Sequence, residues 1–233
     1  MIPKIIHYVW IGDNPKNDLI KQCIESWKYK LPDYEIVEWN EKNYDLNSNI
    51  FLKKAYSQKK WAFVADYIRL DVLLKYGGIY FDTDVEVIKT FDDLLNNDAF
   101  IGFENSKYLG TSVIAAKPNH RWIAESLKYY SEAQSLDKKG NISLTPNVVN
   151  ITDTTVKMYG LKLNNKNQSL NDRLIILSSS YFSPISYDED FKSSSSKITK
   201  ETYSIHHYDG SWLDKKDHFK IFLKKTLKKL RII

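Results

Sequence analysis

The stretch Tyr76-Gly77-Gly78-Ile79-Tyr80-Phe81-Asp82-Thr83-Asp84 decides how this chain reads. A helical pattern runs up to Tyr76 and two glycines interrupt it. A short β-forming run follows and ends in two aspartates one residue apart. Gly77 suits the position just past a helix, and Gly78 lets the chain turn into a strand. Side chains alternate along a strand, so a strand continuing through Asp84 sets Asp82 and Asp84 on one face. Two carboxylates at the tip of a buried strand form a hard, oxygen-rich site suited to Mg²⁺ or Mn²⁺ and a phosphate-bearing ligand.

Upstream, Trp61 to Tyr76 has the wide apolar faces of a buried helix, and residues 49–58 read as a shorter one. Before them come an apolar strand at 4–11, closed by a turn at 12–15, an amphipathic helix from Asp18 to Lys30, and a strand from Tyr34 to Trp39. The order strand, helix, strand with short connections predicts a parallel α/β arrangement. Downstream, Val85–Ile88, Ala99–Glu104, Thr111–Ala116, Leu174–Leu177 and Tyr203–His207 read as strands. His120–Tyr130 reads as a helix, Pro146 starts another, and 160–172 is a polar loop. The serine run 193–196 reads as a mobile loop.

The chain has 233 residues, enough for one domain with a full core, and its 42% hydrophobic and 27% charged content is ordinary for a globular protein. Its net charge of +5 is unevenly placed. Residues 214–233 hold eight Lys/Arg against two Asp, so the body is near neutral and has no electrostatic footprint for nucleic acid. That terminal stretch sets Phe219, Phe222, Leu223, Leu227, Leu230 and Ile233 on one helical face with lysines around it. It reads as a basic amphipathic helix for an anionic membrane surface. The alternative is a helix that packs on the domain. The domain itself is expected at 1–213.

Cys23 is the single cysteine and sits among Ile20, Ile24 and Trp27, which reads as a buried structural thiol in a reducing compartment. No signal-peptide pattern opens the chain, and no segment approaches the ~20 apolar residues that cross a bilayer. A cytoplasmic location, or one on the inner face of the plasma membrane, is expected.

Three further groups of residues stand out. Asp66 and Arg69 lie three apart on one helix face, as an ion pair or as a pair converging on the strand tip. The closing segment His206-His207-Tyr208-Asp209-Gly210-Ser211-Trp212 offers an imidazole, hydroxyl or carbonyl to complete a metal shell, and an indole to cover a ligand. Glu104, at a strand end, reads as a surface carboxylate, with an acceptor-side role as the alternative. No glycine-rich dinucleotide loop, P-loop, zinc spacing or nucleophile elbow is evident. A phosphohydrolase also uses Asp-x-Asp after an apolar strand. It wants Thr or Val where Glu86 stands, and its aspartates fall near the chain start.

The opening Ile2–Gly12, the block Ala62–Asp84 and the closing His206–Trp212 together resemble the sugar-binding-region, Asp-x-Asp glycosyltransferases of family 32. The resemblance implies a GT-A fold, a Rossmann-like mixed central sheet flanked by helices, with a nucleotide-sugar donor at the carboxyl ends of its strands. It also implies Mn²⁺ or Mg²⁺, retention of anomeric configuration, and transfer of a hexose or N-acetylhexosamine, with a UDP-sugar as the expected donor. The acceptor would be a glycan or lipid-linked saccharide in cell-surface or capsular polysaccharide synthesis.

Residue by residue, the resemblance puts Val9, Trp10 and Ile11 against the nucleotide base and Asp66 and Arg69 against donor sugar or phosphate. It puts Asp82 on ribose or sugar hydroxyls and, through water, on the metal. Asp84 becomes a direct metal ligand, His207 and Ser211 the remaining ligand candidates, and Trp212 a contact to the leaving phosphate. Related toxins use an acid in the closing loop, a place that Asp209 or His207 would have to fill here. A non-catalytic nucleotide-sugar-binding module is the reading from a different class.

Overall fold

In a computed structural model, residues 1–12, 14–131, 141–142, 145–189 and 191–210 are described. Ser211, Trp212 and the basic segment 214–233 lie outside them, and so do the expectations attached to those residues. Among the described residues no helix is long and apolar enough to cross a membrane.

A seven-stranded mixed sheet forms the centre, in the order β2-β1-β3-β6-β5-β8-β7. The strands are β1 (Ile5–Val9), β2 (Glu35–Trp39), β3 (Gly78–Phe81), β5 (Ala99–Phe103), β6 (Leu109–Ala116), β7 (Gln168–Ser169) and β8 (Leu174–Leu177). β1 runs parallel to both β2 and β3, while β6 is antiparallel to β3 and β5. A separate two-stranded ribbon pairs β4 (Val85–Val87) with β9 (Ser204–His206). The helices are α1 (Asp18–Lys30), α2 (Ile50–Ser57), α3 (Trp61–Tyr76), α4 (Arg121–Leu127), α5 (Asn147–Tyr159), α6 (Ser179–Phe182) and α7 (Phe191–Ser194).

The strand alternation predicted for the central run builds two cores, one on each face. Ile79 and Phe81 of β3 join Ile6, Tyr8, Val113, Ala115 and the α1 residues Ile20, Ile24 and Trp27. Tyr80 points the other way, into a cluster with Val9, Ile101, Ile114 and the faces of α2, α3, α4 and α5. Cys23 is buried on the α1 side as a free thiol, and burial pushes its pKa up to about 12. That removes the thiolate that a nucleophile needs.

Local chemistry sets the helix ends. The Asn17 side chain accepts from the Ile20 N–H at 2.9 Å and caps α1, and Asn49 does the same for α2. Both glycines of the central stretch have positive φ, +66° for Gly77 and +101° for Gly78. A Cβ at Gly77 would fall 2.6 Å from Pro118 Cδ, and one at Gly78 would fall 2.5 Å from the Ile5 carbonyl oxygen. Here the tight reversal and the close approach of β1 both require glycine.

Three expectations change. Within 160–172, read as a polar loop, Gln168–Ser169 forms β7 against β8 and Asn171–Arg173 a 3₁₀ turn. The strand does not continue through the aspartates. β3 ends at Phe81, the Asp82 N–H donates to Ser112 O at 2.9 Å, and the Val85 N–H closes a turn onto Asp82 O at 3.1 Å. The chain then leaves the sheet because Val85 and Val87 bury against α1, where Trp27 Nε1 donates to Val85 O at 2.6 Å. The serine run, read as a loop, instead belongs to α7 and a 3₁₀ turn at Ser195–Lys197.

Candidate active site

A cavity of about 470 Å³ opens at one edge of the central sheet. It lies past the carboxyl ends of β1, β3 and β5 and beside the start of β6, because those three strands share one direction. The amino-terminal half of α3 and the first turn of α5 form one wall. Ligands of open α/β sheets bind at this edge, where the strands end and the backbone turns outward.

Arg69 sits at the floor. It is 5% exposed, and its Nη2 lies 3.0 Å from Asp66 Oδ1 and 3.2 Å from Asp82 Oδ1. Its Nη1 donates to Thr111 O at 2.7 Å, its Nε to Ala65 O at 3.4 Å, and its guanidinium carbon lies 4.6 Å from the Tyr80 ring centre. The two readings of Asp66 and Arg69 are therefore one arrangement: the helix ion pair also reaches the strand tip. Burial works against the charge of Arg69, but Asp82, Tyr80 and Asp66 outweigh it and raise its pKa. Burial also pushes the Asp66 carboxyl up to about 6, against the pull of Arg69 and with a push from Asp82. Two guanidinium N–H groups thus donate to backbone carbonyls, and Nη2 lies within ion-pair distance of both aspartates.

Asp84 is held differently. Its Oδ1 lies 3.3 Å from His206 Nε2, and its Oδ2 accepts the Asp209 N–H at 2.8 Å. Burial opposes its ionisation, yet His206 and that N–H keep the carboxyl below its usual range. His206 is disfavoured as a cation by burial but drawn upward by Asp84, Asp82 and Glu104. The ribbon sets this up, since Val85 pairs with His206 and so brings the neighbouring Asp84 to the same end.

The structure brings His206 to the aspartates and turns His207 away. His207 Nε2 meets Glu86 Oε2 at 2.9 Å, outside the cavity lining. Neighbours on a strand face opposite ways, so only one imidazole of the pair reaches the cavity. Asp209 turns its backbone N–H to Asp84 and its carboxylate to Asn17 Nδ2, at 2.9 Å.

Val9, Trp10 and Ile11 line the cavity beyond β1, with Trp61 and Phe63 of α3 nearby. Trp10 is fixed by its Nε1, which donates to Asn14 O at 3.0 Å, and Lys16 lies 5.2 Å from its ring centre. Three lining groups had no firm sequence signal. Glu104, read as a surface carboxylate, follows the end of β5 and lines the cavity. Burial raises its pKa, Asp82 adds to that, and His206 partly offsets it. Asn147, just after the helix-starting Pro146, is 3% exposed, and neither amide atom makes a hydrogen bond of ordinary geometry. It nonetheless lies close enough to Asp66 to draw that carboxyl down. Tyr187 and Tyr208 close the far side.

Among the described residues no three His, Cys, Asp or Glu side chains converge as a ready-made metal cluster. Asp84 and His206 do suit a cation that a ligand helps to hold. Two donors next to each other around Mg²⁺ or Mn²⁺ lie ~3 Å apart, close to their separation here.

The profile of the family described as "Glycosyltransferase sugar-binding region containing DXD motif" matches residues 17–101. Residues 17–101 of this chain are thus similar to the sugar-binding region of DXD-type glycosyltransferases. The region takes in Asp66, Arg69, Asp82 and Asp84, whereas Trp10, Glu104 and His206 come from outside it. Inositol phosphoceramide mannosyltransferase 3 of Schizosaccharomyces pombe is 29% identical over 134 residues, which cover 54% of this chain and 36% of the relative. The chain spans less than half the length of the first curated relatives it matches. Among solved structures, the PaToxG glycosyltransferase superposes with a TM-score of 0.52 at 20% identity, covering 67% of this chain and 68% of that one. The apo form of GlyE from Streptococcus pneumoniae TIGR4 also gives 0.52, at 13% identity, over 90% of this chain and 55% of that one. The mixed sheet flanked by helices around this sugar-binding region is the GT-A fold of glycosyltransferases.

Proposed function

We propose that this protein is a metal-dependent, retaining glycosyltransferase. It moves a hexosyl or N-acetylhexosaminyl group from a nucleotide sugar, with UDP as the carrier, to a hydroxyl of a glycan or lipid-linked saccharide. The observation that carries this reading is the pairing of two differently held aspartates, Asp82 on Arg69 and Asp84 on His206, in one cavity at the carboxyl edge of the sheet.

Each group has a task. Trp10, between Val9 and Ile11, offers a ring face to the base. Asp82 and Asp66 accept hydrogen bonds from sugar hydroxyls, and Arg69 holds Asp82 at the cavity wall. Arg69, which lines the cavity, also faces donor oxygens. Asp84 and His206 would hold a divalent cation beside the donor diphosphate. Such an ion supplies Lewis-acid stabilisation of the leaving diphosphate.

In the transfer, the bond between the anomeric carbon and the diphosphate oxygen breaks and the bond to the acceptor oxygen forms on the same face. The acceptor proton passes to the departing diphosphate. Buried Arg69 stabilises the growing negative charge where little water screens it. Ser211 and Trp212, next in sequence to Gly210 at the cavity edge, are proposed to complete the ligand shell and to cover the leaving phosphate.

A relative named for mannosyl transfer to inositol phosphoceramide supports a lipid-linked acceptor. The basic segment 214–233 is the proposed contact to an anionic membrane, which fits a peripheral enzyme of cell-surface or capsular polysaccharide synthesis on the cytoplasmic face. A screen of nucleotide sugars for Mn²⁺-dependent hydrolysis, run with the full chain and with Asp84→Ala, tests the reading. Hydrolysis that the variant loses by at least about a hundredfold is expected. Equal activity in the variant would remove the role given to Asp84.

A further inference from the structure

The carboxyl edge of the sheet has a direction. Along it stand the ends of β1 and β3, the start of β6 and the end of β5. Val9–Ile11 lie beyond the first and Glu104 beyond the last, with Asp82 between. Three strand spacings of ~4.8 Å separate the two ends, ~14 Å in all. A base at Trp10 and a diphosphate near Asp84 therefore leave the Glu104 end for another molecule.

That end is built for a sugar. The carboxylate of Glu104 makes no hydrogen bond or ion pair among the described residues, although its residue is half-buried and burial penalises its charge. A carboxylate kept at that depth with its oxygens unused is an acceptor for a ligand's O–H. Beside it, the Tyr208 ring packs against His206 with centroids 3.9 Å apart, and Tyr208 is held at φ +52° to do so. Tyr187 stands edge-on to Tyr208 at 6.4 Å and remains 46% exposed at the cavity mouth. A pyranose has hydroxyls around its rim and apolar C–H groups on its faces, so it matches an acceptor oxygen flanked by tyrosine rings.

We propose that Glu104, Tyr187 and Tyr208 form the acceptor subsite, and that it takes a pyranoside. The two rings receive the apolar face of the sugar. Glu104 accepts a hydrogen bond from a hydroxyl of that sugar and so orients the attacking oxygen toward the anomeric carbon. This rests on the transferase reading above.

The test uses the full chain saturated with UDP and Mn²⁺, probed with the methyl glycosides of glucose, galactose and mannose by saturation-transfer NMR. UDP affinity is measured separately by calorimetry. Transfer to the ring protons of at least one glycoside is expected. Glu104→Gln and Tyr187→Ala should each weaken it about tenfold, while Tyr29→Ala, on the exposed face of α1, leaves it unchanged. UDP affinity should stay within about twofold in all three. UDP binding with no transfer to any glycoside, or equal transfer from the Glu104 and Tyr187 variants, overturns the subsite and leaves the donor site standing. A wild-type chain that binds no UDP overturns both.

Discussion

Replacing Arg69 by Met tests the centre of the site. Met keeps much of the side-chain volume but removes the cation that faces Asp66 at 3.0 Å and Asp82 at 3.2 Å. Asp66 already pays for burial, because its pKa stands at about 6 against the usual 3.8. Without Arg69 it would be protonated in the native state at about pH 7.5. That adds ~2 kcal/mol to the cost carried by the wild type at that pH, and ~0.5 kcal/mol or less near pH 6. The Thr111 carbonyl loses its donor and Asp82 loses its cation, for a further ~1–3 kcal/mol.

The expected loss is thus ~3–5 kcal/mol at pH 7.5, in line with breaking a buried ion pair from one side, and ~1.5 kcal/mol smaller at pH 6. Urea unfolding followed by tryptophan fluorescence at both pH values measures it. In an Asp66→Asn background the difference between the two pH values should vanish. A loss under ~1 kcal/mol, or one that grows as pH falls, would refute the reasoning.

His7 should govern part of the acid sensitivity of the fold. Its Nε2–H donates to Gly77 O at 2.7 Å and its Nδ1 accepts from Trp39 Nε1 at 3.1 Å, so the neutral ring is the one that fits. Burial lowers its pKa from 6.5 to about 4. Its contribution is therefore complete above the unfolded pKa and declines as pH falls toward 4. Wild type should lose on the order of 3 kcal/mol relative to His7→Gln between those limits, by chemical denaturation across pH. Gly78→Ala should cost ~2–4 kcal/mol in the same assay, because the added Cβ meets Ile5 O and φ stays positive. Trp10→Ala should weaken UDP about tenfold by calorimetry with the fold intact by circular dichroism, since the ring lines the cavity and packs only at the margin of the core.

Much of this was legible in the residues because local and tertiary demands agree. α1, from Asp18 to Lys30, and α3, from Trp61 to Tyr76, carry both an apolar periodicity and a stop, and the structure ends them where the pattern does. Asp66 and Arg69 were readable as neighbours because one helix carries both. Their convergence on Asp82 needed the register of β3 against β6, which a single strand does not reveal.

What escaped notice depends on distant pairing. Val85 to Ile88 reads as a strand continuing after the aspartates, and only the packing of Val85 and Val87 on α1 turns it into a ribbon with β9. The same pairing chooses His206 over His207, since adjacent strand residues are chemically alike and differ only in facing. Glu104 is an ordinary strand-end glutamate until β5 is known to run with β1 and β3, which brings its end to the shared edge.

The most direct measurement is anomalous diffraction from crystals grown with MnCl₂ and UDP. The account predicts one manganese peak within bonding distance of Asp84, bridged to the UDP diphosphate, with the uracil ring on Trp10. UDP seated in the cavity with Asp84 turned to solvent, or manganese bound away from the aspartates, would contradict it.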